Sequence, residues 1–528
     1  MTRLMNEITE KVDWHIKIFN ETITNKWKAE ALATPNVDIS ERMVDWCIEE
    51  LRWKAKLPIF TEHGAISIYE GDVVKSDVAI PRSLKEALRN AVAPLEDVPE
   101  DQRDWHPGSD DQVLDLVHPS LFPLVYGTSR ILPDSLTTLE DCVKRCGEGV
   151  IVPVPNSLQN NFYSEKFQWL PCEVDVSGDQ AKITSYINNL HPQKHTKLYK
   201  IVEDVITRTI PLWNTTLTPL RADRWRSNRI PFEGPSFYPL PKKNLPRQKK
   251  DEDATDFEFR KEQWIRDNRQ VIQPEPGHGT FTPPTVPNIT HFVEQYLEPS
   301  GGLKAEKTVD LKRDYGHRGL QVIVKLANIH LTPESPNYPG GTWHVEGQRN
   351  ERICASAIYY FDNQNITSNS LAFRQMSDDD LEGANYDQDD HGWLTTIFGL
   401  KQDGSLLQNV GGIETKEGRI ITFPNTLQHQ VQPFTLADPT RPGHRKILAL
   451  FLVDPNIRII STANVPCQRQ DWWDEVAGEA RAKKQEDGFP ITLEDAKRLR
   501  EELMDERKDF VIGHQDAMET VTISLCEH

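Results

Sequence analysis

Hydrophobic positions change their period along the chain, and the changes divide it. Over residues 1–60 they recur at helical intervals: Val12, Ile16 and Phe19, then Met43, Trp46 and Leu51. Residues 83–92, just after Pro81, form an amphipathic helical pattern. Residues 116–126 are apolar and punctuated by proline, as expected of a buried irregular segment. Residues 167–176 read as extended, and a helix is expected over about 194–212. From about residue 318 the pattern becomes that of strands: 319–331, 353–361, 370–374, a turn at Lys416-Glu-Gly followed by a strand, 428–434, and 445–454. Residues 471–528 return to a helical pattern, clearest from Leu493 to Phe510. Strands at this spacing, bracketed by helices, predict an α+β chain with a double-stranded β-helix (jelly-roll) core wrapped by helical N- and C-terminal regions. The expected boundaries are 1–150 for a mostly helical region and 151–300 for a mixed region with Pro- and charge-rich loops. The jelly-roll core follows over 301–470, and a helical extension over 471–528.

Composition narrows the function. The 528 residues are 37% hydrophobic and 27% charged, as in a globular protein, and carry 36 prolines. A net charge of −19 argues against general binding of nucleic-acid phosphates and against docking on an anionic membrane surface. No window approaches the ~18 apolar residues of a membrane helix. The polar, acidic first residues resemble neither a signal nor a transit peptide, so a cytoplasmic location is expected. The seven cysteines are scattered, as reduced thiols are; Cys142 and Cys146 lack a second ligand pair for zinc. The mixed charges around residues 247–253 read as a solvated loop, and Arg224, Arg226 and Arg229 are not expected to bind nucleic acid.

The candidate chemistry lies in Gly-Gly-Thr-Trp-His-Val-Glu, residues 340–346. On a strand, His344 and Glu346 point to one face. His429, in Phe-Pro-Asn-Thr-Leu-Gln-His-Gln-Val (423–431), supplies a second imidazole. Two histidines and a carboxylate on one face of a metal make the triad of non-haem Fe(II) oxygenases, with the other face free for a bidentate 2-oxoacid and O2. Such a co-substrate has a distal carboxylate. Arg445, sixteen residues past His429, could grip it if the two strands paired as a hairpin. Arg441 and His444 are alternatives nearby, and Tyr359, Tyr360 and Thr422 are candidates for a further co-substrate contact. His118 reads better as a hydrogen-bonded buried histidine than as a ligand. His317 and His330 suit exposed or supporting positions, and Trp343 suits core or pocket wall. The acidic run 377–391 suits a solvated loop or lid; its spacing is not that of an EF-hand.

The order of these parts resembles the Fe(II)/2-oxoglutarate-dependent dioxygenase superfamily. Within it, the longer resemblance is to a fungal family known only as a domain of unknown function. The residues that carry it are 115–126 (Asp-Leu-Val-His-Pro-Ser-Leu-Phe-Pro-Leu-Val-Tyr), 167–171, 185–192, 340–347 and 423–431. The resemblance implies His344, Glu346 and His429 as iron ligands and Arg445 as the 2-oxoglutarate carboxylate binder. Glu346 stands where aspartate is commoner, which lengthens the reach by one methylene. The implied activity is hydroxylation or desaturation of an unknown small molecule, with O2 and 2-oxoglutarate as partners and a hydroxylase of protein side chains as a variant. A carboxylate ligand argues against a halogenase. The alternatives are a cupin-like metalloenzyme that does not use 2-oxoglutarate and a non-catalytic jelly-roll scaffold.

Overall fold

The structure, a computed structural model, describes residues 1–35, 37–69, 72–155, 162–221, 229–277, 281, 308–377, 385–387, 390–476 and 489–525. Helix α1 (Arg82–Glu96), strand β1 (Val113–Val117), helix α2 (Thr196–Arg221), strands β2 (Leu320–Leu331), β3 (Ile353–Gln364), β4 (Ser370–Met376), β5 (Leu407–Glu414), β6 (Ile420–Pro424), β7 (Gln428–Val431) and β8 (Gly443–Val453), and helix α3 (Leu493–Glu519) carry the architecture. The fold is thus mixed α and β, built on a large antiparallel sheet. In that sheet β6, β3, β8 and β2 lie side by side, with β1 also paired to β2. Val73–Ser76 extends the sheet beyond β6, and Cys172–Asp175 extends it beyond β2. A smaller sheet runs β5, β4, β7. His344 lengthens it by a single antiparallel bridge to His429.

Alternation along the central strands decides what each face covers. Ile323, Ile358, Tyr360, Ala449 and Phe451 meet Leu371, Phe373 and Ile413 of the smaller sheet. The residues between them, among them Val322, Ala357, Tyr359 and Leu450, face outward onto Leu88 of α1 and Val202 and Trp213 of α2. Each large apolar side chain buried this way contributes about 1.5–3 kcal/mol, against about 0–1 kcal/mol for an exposed ion pair. The two apolar faces therefore hold the layers together. Helix α2 was expected to end near Leu212. It continues through Pro211 and Pro219 to Arg221, since Leu212 and Trp213 are fully buried against the sheet. Packing overrides the proline penalty there.

One expected pairing is not formed. β8 does not lie beside β7: it pairs with β2 and β3, while β7 pairs with β4. The expected strand 428–434 breaks at Pro433, and Phe434–Thr435 pairs instead with Asn337–Tyr338. The chain then crosses to the other sheet. Much of the acidic run expected as a loop or lid (378–384 and 388–389), together with Arg224 and Arg226, lies outside the described residues. Among the described residues, no helix is long and apolar enough to cross a membrane.

The N-terminal helix Thr2–Thr9 is tied to the larger sheet by charge. The buried guanidinium of Arg419 donates to Glu10 from Nη1 (2.6 Å) and Nη2 (3.0 Å), and to Asp77 from Nε (2.6 Å). Lys75 and Lys416 also donate to Glu10. Burial alone would raise the Glu10 carboxyl; the Arg419 hydrogen bonds and the lysine charges outweigh it and hold the group down at about 2. A folded-state value below the ordinary 4.5 means the anion stabilises the fold above that pH and the stabilisation fades as pH falls toward 2. Wild type is therefore expected to lose up to about 3 kcal/mol of stability between pH 4.5 and 2 that Glu10→Gln lacks. Urea unfolding at pH 7, 4 and 2.5 measures this. Parallel loss in both proteins would show that Glu10 contributes nothing.

Candidate metal centre

His344 reaches the smaller sheet through two backbone bonds: its N–H donates to the His429 carbonyl (3.2 Å), and its carbonyl accepts from the His429 N–H (2.9 Å). The strand expected there is reduced to this one bridge, yet it puts the two imidazoles side by side, ring centres 4.3 Å apart and planes tilted by 50°. Two glycines frame it. Gly340 has φ +91, and a Cβ there would meet the Val431 carbonyl at 2.7 Å. Gly347, at φ +68, turns the chain directly after Glu346. The Asn425 side chain then holds the Glu346 backbone from both sides. Its Oδ1 accepts from the Glu346 N–H (2.8 Å), and its Nδ2 donates to the carbonyls of Glu346 (2.9 Å) and Ile353 (3.1 Å). Beyond the turn, buried Glu351 accepts from the backbone N–H of Gln348 and Trp169 and from Arg507 of α3.

The result is a convergent triad. Glu346 Oε1 lies 3.2 Å from His429 Nε2 and 3.8 Å from His344 Nε2. One ligand atom from each of the three residues falls within 4.8 Å of the others. Nδ1 of His344 lies 2.8 Å from the Thr342 carbonyl, which can only accept; the proton therefore sits on Nδ1 and the Nε2 lone pair is free. His429 is buried, packed on Phe423, and its Nδ1 has no hydrogen-bond partner among the described residues. His344 keeps 31% of its side-chain surface against 3% for His429, so the group opens on the His344 side. Low-dielectric surroundings, reinforced by the His429 ring, push the His344 imidazole down to about 4. Burial works against the Glu346 carboxylate, but the His429 hydrogen bond and both imidazoles hold it at about 2. At neutral pH the set therefore offers a carboxylate and a neutral imidazole, the forms a divalent cation needs.

A second constellation has the same composition: His106, Asp115 and His118, also within 4.8 Å. Its protons are placed differently. The Ser120 N–H donates to His118 Nδ1 (3.2 Å), so the neutral ring carries its hydrogen on Nε2 and has no free lone pair. His106 Nδ1 is engaged by Asp115 Oδ2 at 2.8 Å, and Arg500 of α3 stands 3.7 Å from the same oxygen. This cluster joins β1 to α3. It keeps His118 as the hydrogen-bonded buried histidine expected of it, its imidazole driven well below its ordinary pKa by burial.

Arg445 lies on the face of β8 shared with Ile447, Ala449 and Phe451, between the sheets, and is 2% exposed. Its Nη1 donates to Asn369 Oδ1 (2.8 Å) and Thr415 Oγ1 (3.3 Å). Phe434 and Tyr360 lie 4.4 and 5.6 Å from the guanidinium carbon. Its Nε has no partner, and among the described residues no carboxylate pairs with it. The other arginine and histidine candidates are elsewhere. Arg441 is exposed, while His444 and His330 face the outer side, where His444 meets Asp362 at 3.1 Å. His317 is exposed, and Trp343 stacks under Arg374. Of the three further contacts expected, only Tyr360 shares the interior with Arg445. Tyr359 and Thr422 point to the opposite face; Thr422 bonds Thr216 of α2. Alternation in β3 explains the split between adjacent tyrosines.

Asn425, Asn369, Thr415 and Lys325 were not anticipated. Lys325 sits on the inner face of β2, half-buried, close enough to Glu346 and His344 to bear on both carboxylate and imidazole. The signal was available: Lys325 is the one charged residue in the stretch 322–327, between Val324 and Leu326, where a charge is expensive to hold.

A model of the family described as "Protein of unknown function (DUF4246)" matches residues 41–476, and a model of that family's N-terminal domain of unknown function matches residues 1–30. No curated protein matches. Solved structures similar to parts of the chain include a bsmA homologue from Methylobium petroleophilum (13% identity, TM-score 0.15, 26% of this chain and 42% of that one). Others are the Fe(II)/α-ketoglutarate-dependent dioxygenase TqaL (13%, TM-score 0.17, 27% and 46%) and a Pseudomonas putida prolyl-4-hydroxylase (13%, TM-score 0.15, 27% and 62%). The overlap spans less than two thirds of each of these chains and is slight.

Proposed function

We propose that this chain, which belongs to the DUF4246 family, is a non-haem iron(II) oxygenase that takes 2-oxoglutarate as co-substrate and hydroxylates or desaturates a small molecule. The observation that carries this is the His344–Glu346–His429 convergence, with the proton of His344 held away from the shared point by Thr342. Two antiparallel sheets facing each other across an apolar core, with the triad on the smaller one, support reading residues 301–470 as a jelly-roll core. When bound, iron(II) and 2-oxoglutarate supply the oxidising power for an unreactive C–H bond, with loss of CO2 from the oxoacid.

The chain's own residues have separable tasks. His344, Glu346 and His429 hold three positions of the ion and leave the rest to small molecules. Asn425 fixes where the Glu346 carboxylate starts from. Arg445 holds the distal carboxylate of the co-substrate; a guanidinium buried without a counter-ion suits that role, and Asn369 and Thr415 orient it. Phe373 and Phe423 wall the His429 side and exclude water.

The test is anaerobic. Adding Fe(II) and 2-oxoglutarate to the purified apoprotein is expected to produce the weak visible charge-transfer band of the chelate, and His344→Ala to remove it. Iron binding with no band would point to a cupin-like enzyme that ignores 2-oxoglutarate. No iron binding at all would leave a scaffold and end the oxygenase reading.

A further inference from the structure

A cavity of about 570 Å³ lies between the turn that follows Glu346 and helix α3. That is the size of a small-molecule site. Glu346 and Asn425 form part of its wall, so it adjoins the metal centre directly. Its roof is one face of α3: Phe510, His514 and Met518 stand four residues apart, on successive turns. Its charged lining is balanced, Arg349 and Arg352 against Glu346 and Asp454, in a chain of net charge −19. Arg349 and Arg352 both reach it, and neither guanidinium has a carboxylate or side-chain hydrogen bond among the described residues. Each lies over an aromatic ring instead, Arg349 at 4.6 Å from Phe162 and Arg352 at 5.4 Å from Tyr163. Stacking of this kind leaves the in-plane N–H groups available.

His514 adds a third donor. Arg374 Nε donates to Gln428 Oε1 (2.6 Å), which turns the Gln428 amide so that Nε2 donates to His514 Nδ1 (3.0 Å). The neutral ring then carries its hydrogen on Nε2. The cavity's two acids are already committed: Glu346 to the triad, and Asp454 Oδ1 to the backbone and side-chain N–H groups of Asn456, at 2.9 Å each. What remains in the lining are the donors of Arg349, Arg352 and His514 and, interspersed with them, the apolar side chains of Phe162, Phe510 and Met518.

We infer that this cavity binds the substrate, and that the substrate is an organic acid: a carboxylate or phosphate head held by Arg349 and Arg352, on an apolar body lying under α3. This rests on the oxygenase reading of the adjoining centre. Two parallel N–H donors on a planar guanidinium match either anion, whereas an uncharged polar head would leave both arginines without a counter-ion.

Calorimetry on protein saturated anaerobically with Fe(II) and 2-oxoglutarate tests it, with 4-phenylbutanoate, 4-phenylbutyl phosphate and 4-phenylbutan-1-ol as probes. At least one acid is expected to bind about tenfold or more tightly than the alcohol. Arg349→Gln with Arg352→Gln should erase that preference, and Arg349→Lys with Arg352→Lys should keep most of it, both with the chelate band unchanged. An intact band with no preference for acids, or a preference that survives the double glutamine change, overturns the inference and leaves the oxygenase reading standing. No band in the wild type ends that reading and the substrate role with it. The same calorimetry on the apoprotein then decides whether the cavity takes acids at all.

Discussion

Glu346→Gln is expected to weaken iron binding by about 100-fold or more while leaving the chain folded. The choice of glutamine matters. The amide fills the same space, keeps an oxygen for His429 Nε2 at the position Glu346 Oε1 now occupies, and leaves the Asn425 clamp on the backbone untouched. Only the charge goes. His429→Ala would be ambiguous by comparison, because it opens a hole against Phe373 and Phe423. The carboxylate is the one anionic ligand of the set, and changes even to groups that merely support a ligand cost about 10–100-fold. Losing the anion should cost at least as much, about 2.7 kcal/mol for 100-fold. Equilibrium dialysis with Fe(II), or with Mn(II) as a stable stand-in, reads the affinity; thermal unfolding without metal checks the fold. Unchanged affinity would remove Glu346 from the ligand set.

The triad was legible in the sequence because its geometry is local. Residues two apart share a face, and a bridge of two backbone bonds was enough to keep His344 and Glu346 aimed together although no regular strand forms. His429 could be chosen over His118, His317 or His330 by its place after Phe423-Pro424 and ahead of a further strand. The mixed α and β architecture with a large antiparallel sheet followed from the change of period near residue 318. What could not be read was long-range pairing. His429 and Arg445 are sixteen residues apart, and a hairpin is the simplest way to join two strands at that distance. Pro433 interrupts the ladder, and Asn337–Tyr338, a hundred residues upstream, takes the next stretch as its partner. Nothing local announces that partner. Arg445 still arrives between the sheets, because β8 crosses to the facing sheet with the right alternation. The same limit explains Tyr359 and Tyr360: adjacent in sequence, they differ only in which face of β3 each occupies, and that depends on register. Helix α3 runs to Glu519, beyond the stretch Leu493 to Phe510 where the helical pattern is clearest, and the ion pair Arg374–Glu519 ties down its last turn.

Arg445→Met is expected to move stability and co-substrate affinity in opposite directions, which separates a ligand anchor from a structural arginine. The guanidinium is withdrawn from water, and burial depresses its pKa. Its hydrogen-bond partners are two neutral oxygens, one of which, Asn369 Oδ1, already accepts from Thr415 Oγ1. A buried ion without a counter-ion costs several kcal/mol, and apolar replacements of similar volume at buried charged sites are often neutral or stabilising by about 1–4 kcal/mol. Methionine fits the space between Phe434 and Tyr360, and Asn369 keeps its bond from Thr415. The metal-free variant should therefore unfold at equal or higher urea concentration than the wild type. Its 2-oxoglutarate affinity should fall by about 100-fold or more, since a charge-assisted pair of hydrogen bonds has been removed. Linkage supplies an independent reading. At 100 times its dissociation constant, 2-oxoglutarate with Mn(II) should stabilise the wild type by about 2.7 kcal/mol over Mn(II) alone, and the variant at the same concentration by almost nothing. A variant that is less stable but keeps the chelate band would make Arg445 a structural residue held by Asn369 and Thr415. The distal carboxylate would then fall to Lys325, the half-buried lysine on the neighbouring strand β2, whose charge bears on both Glu346 and His344.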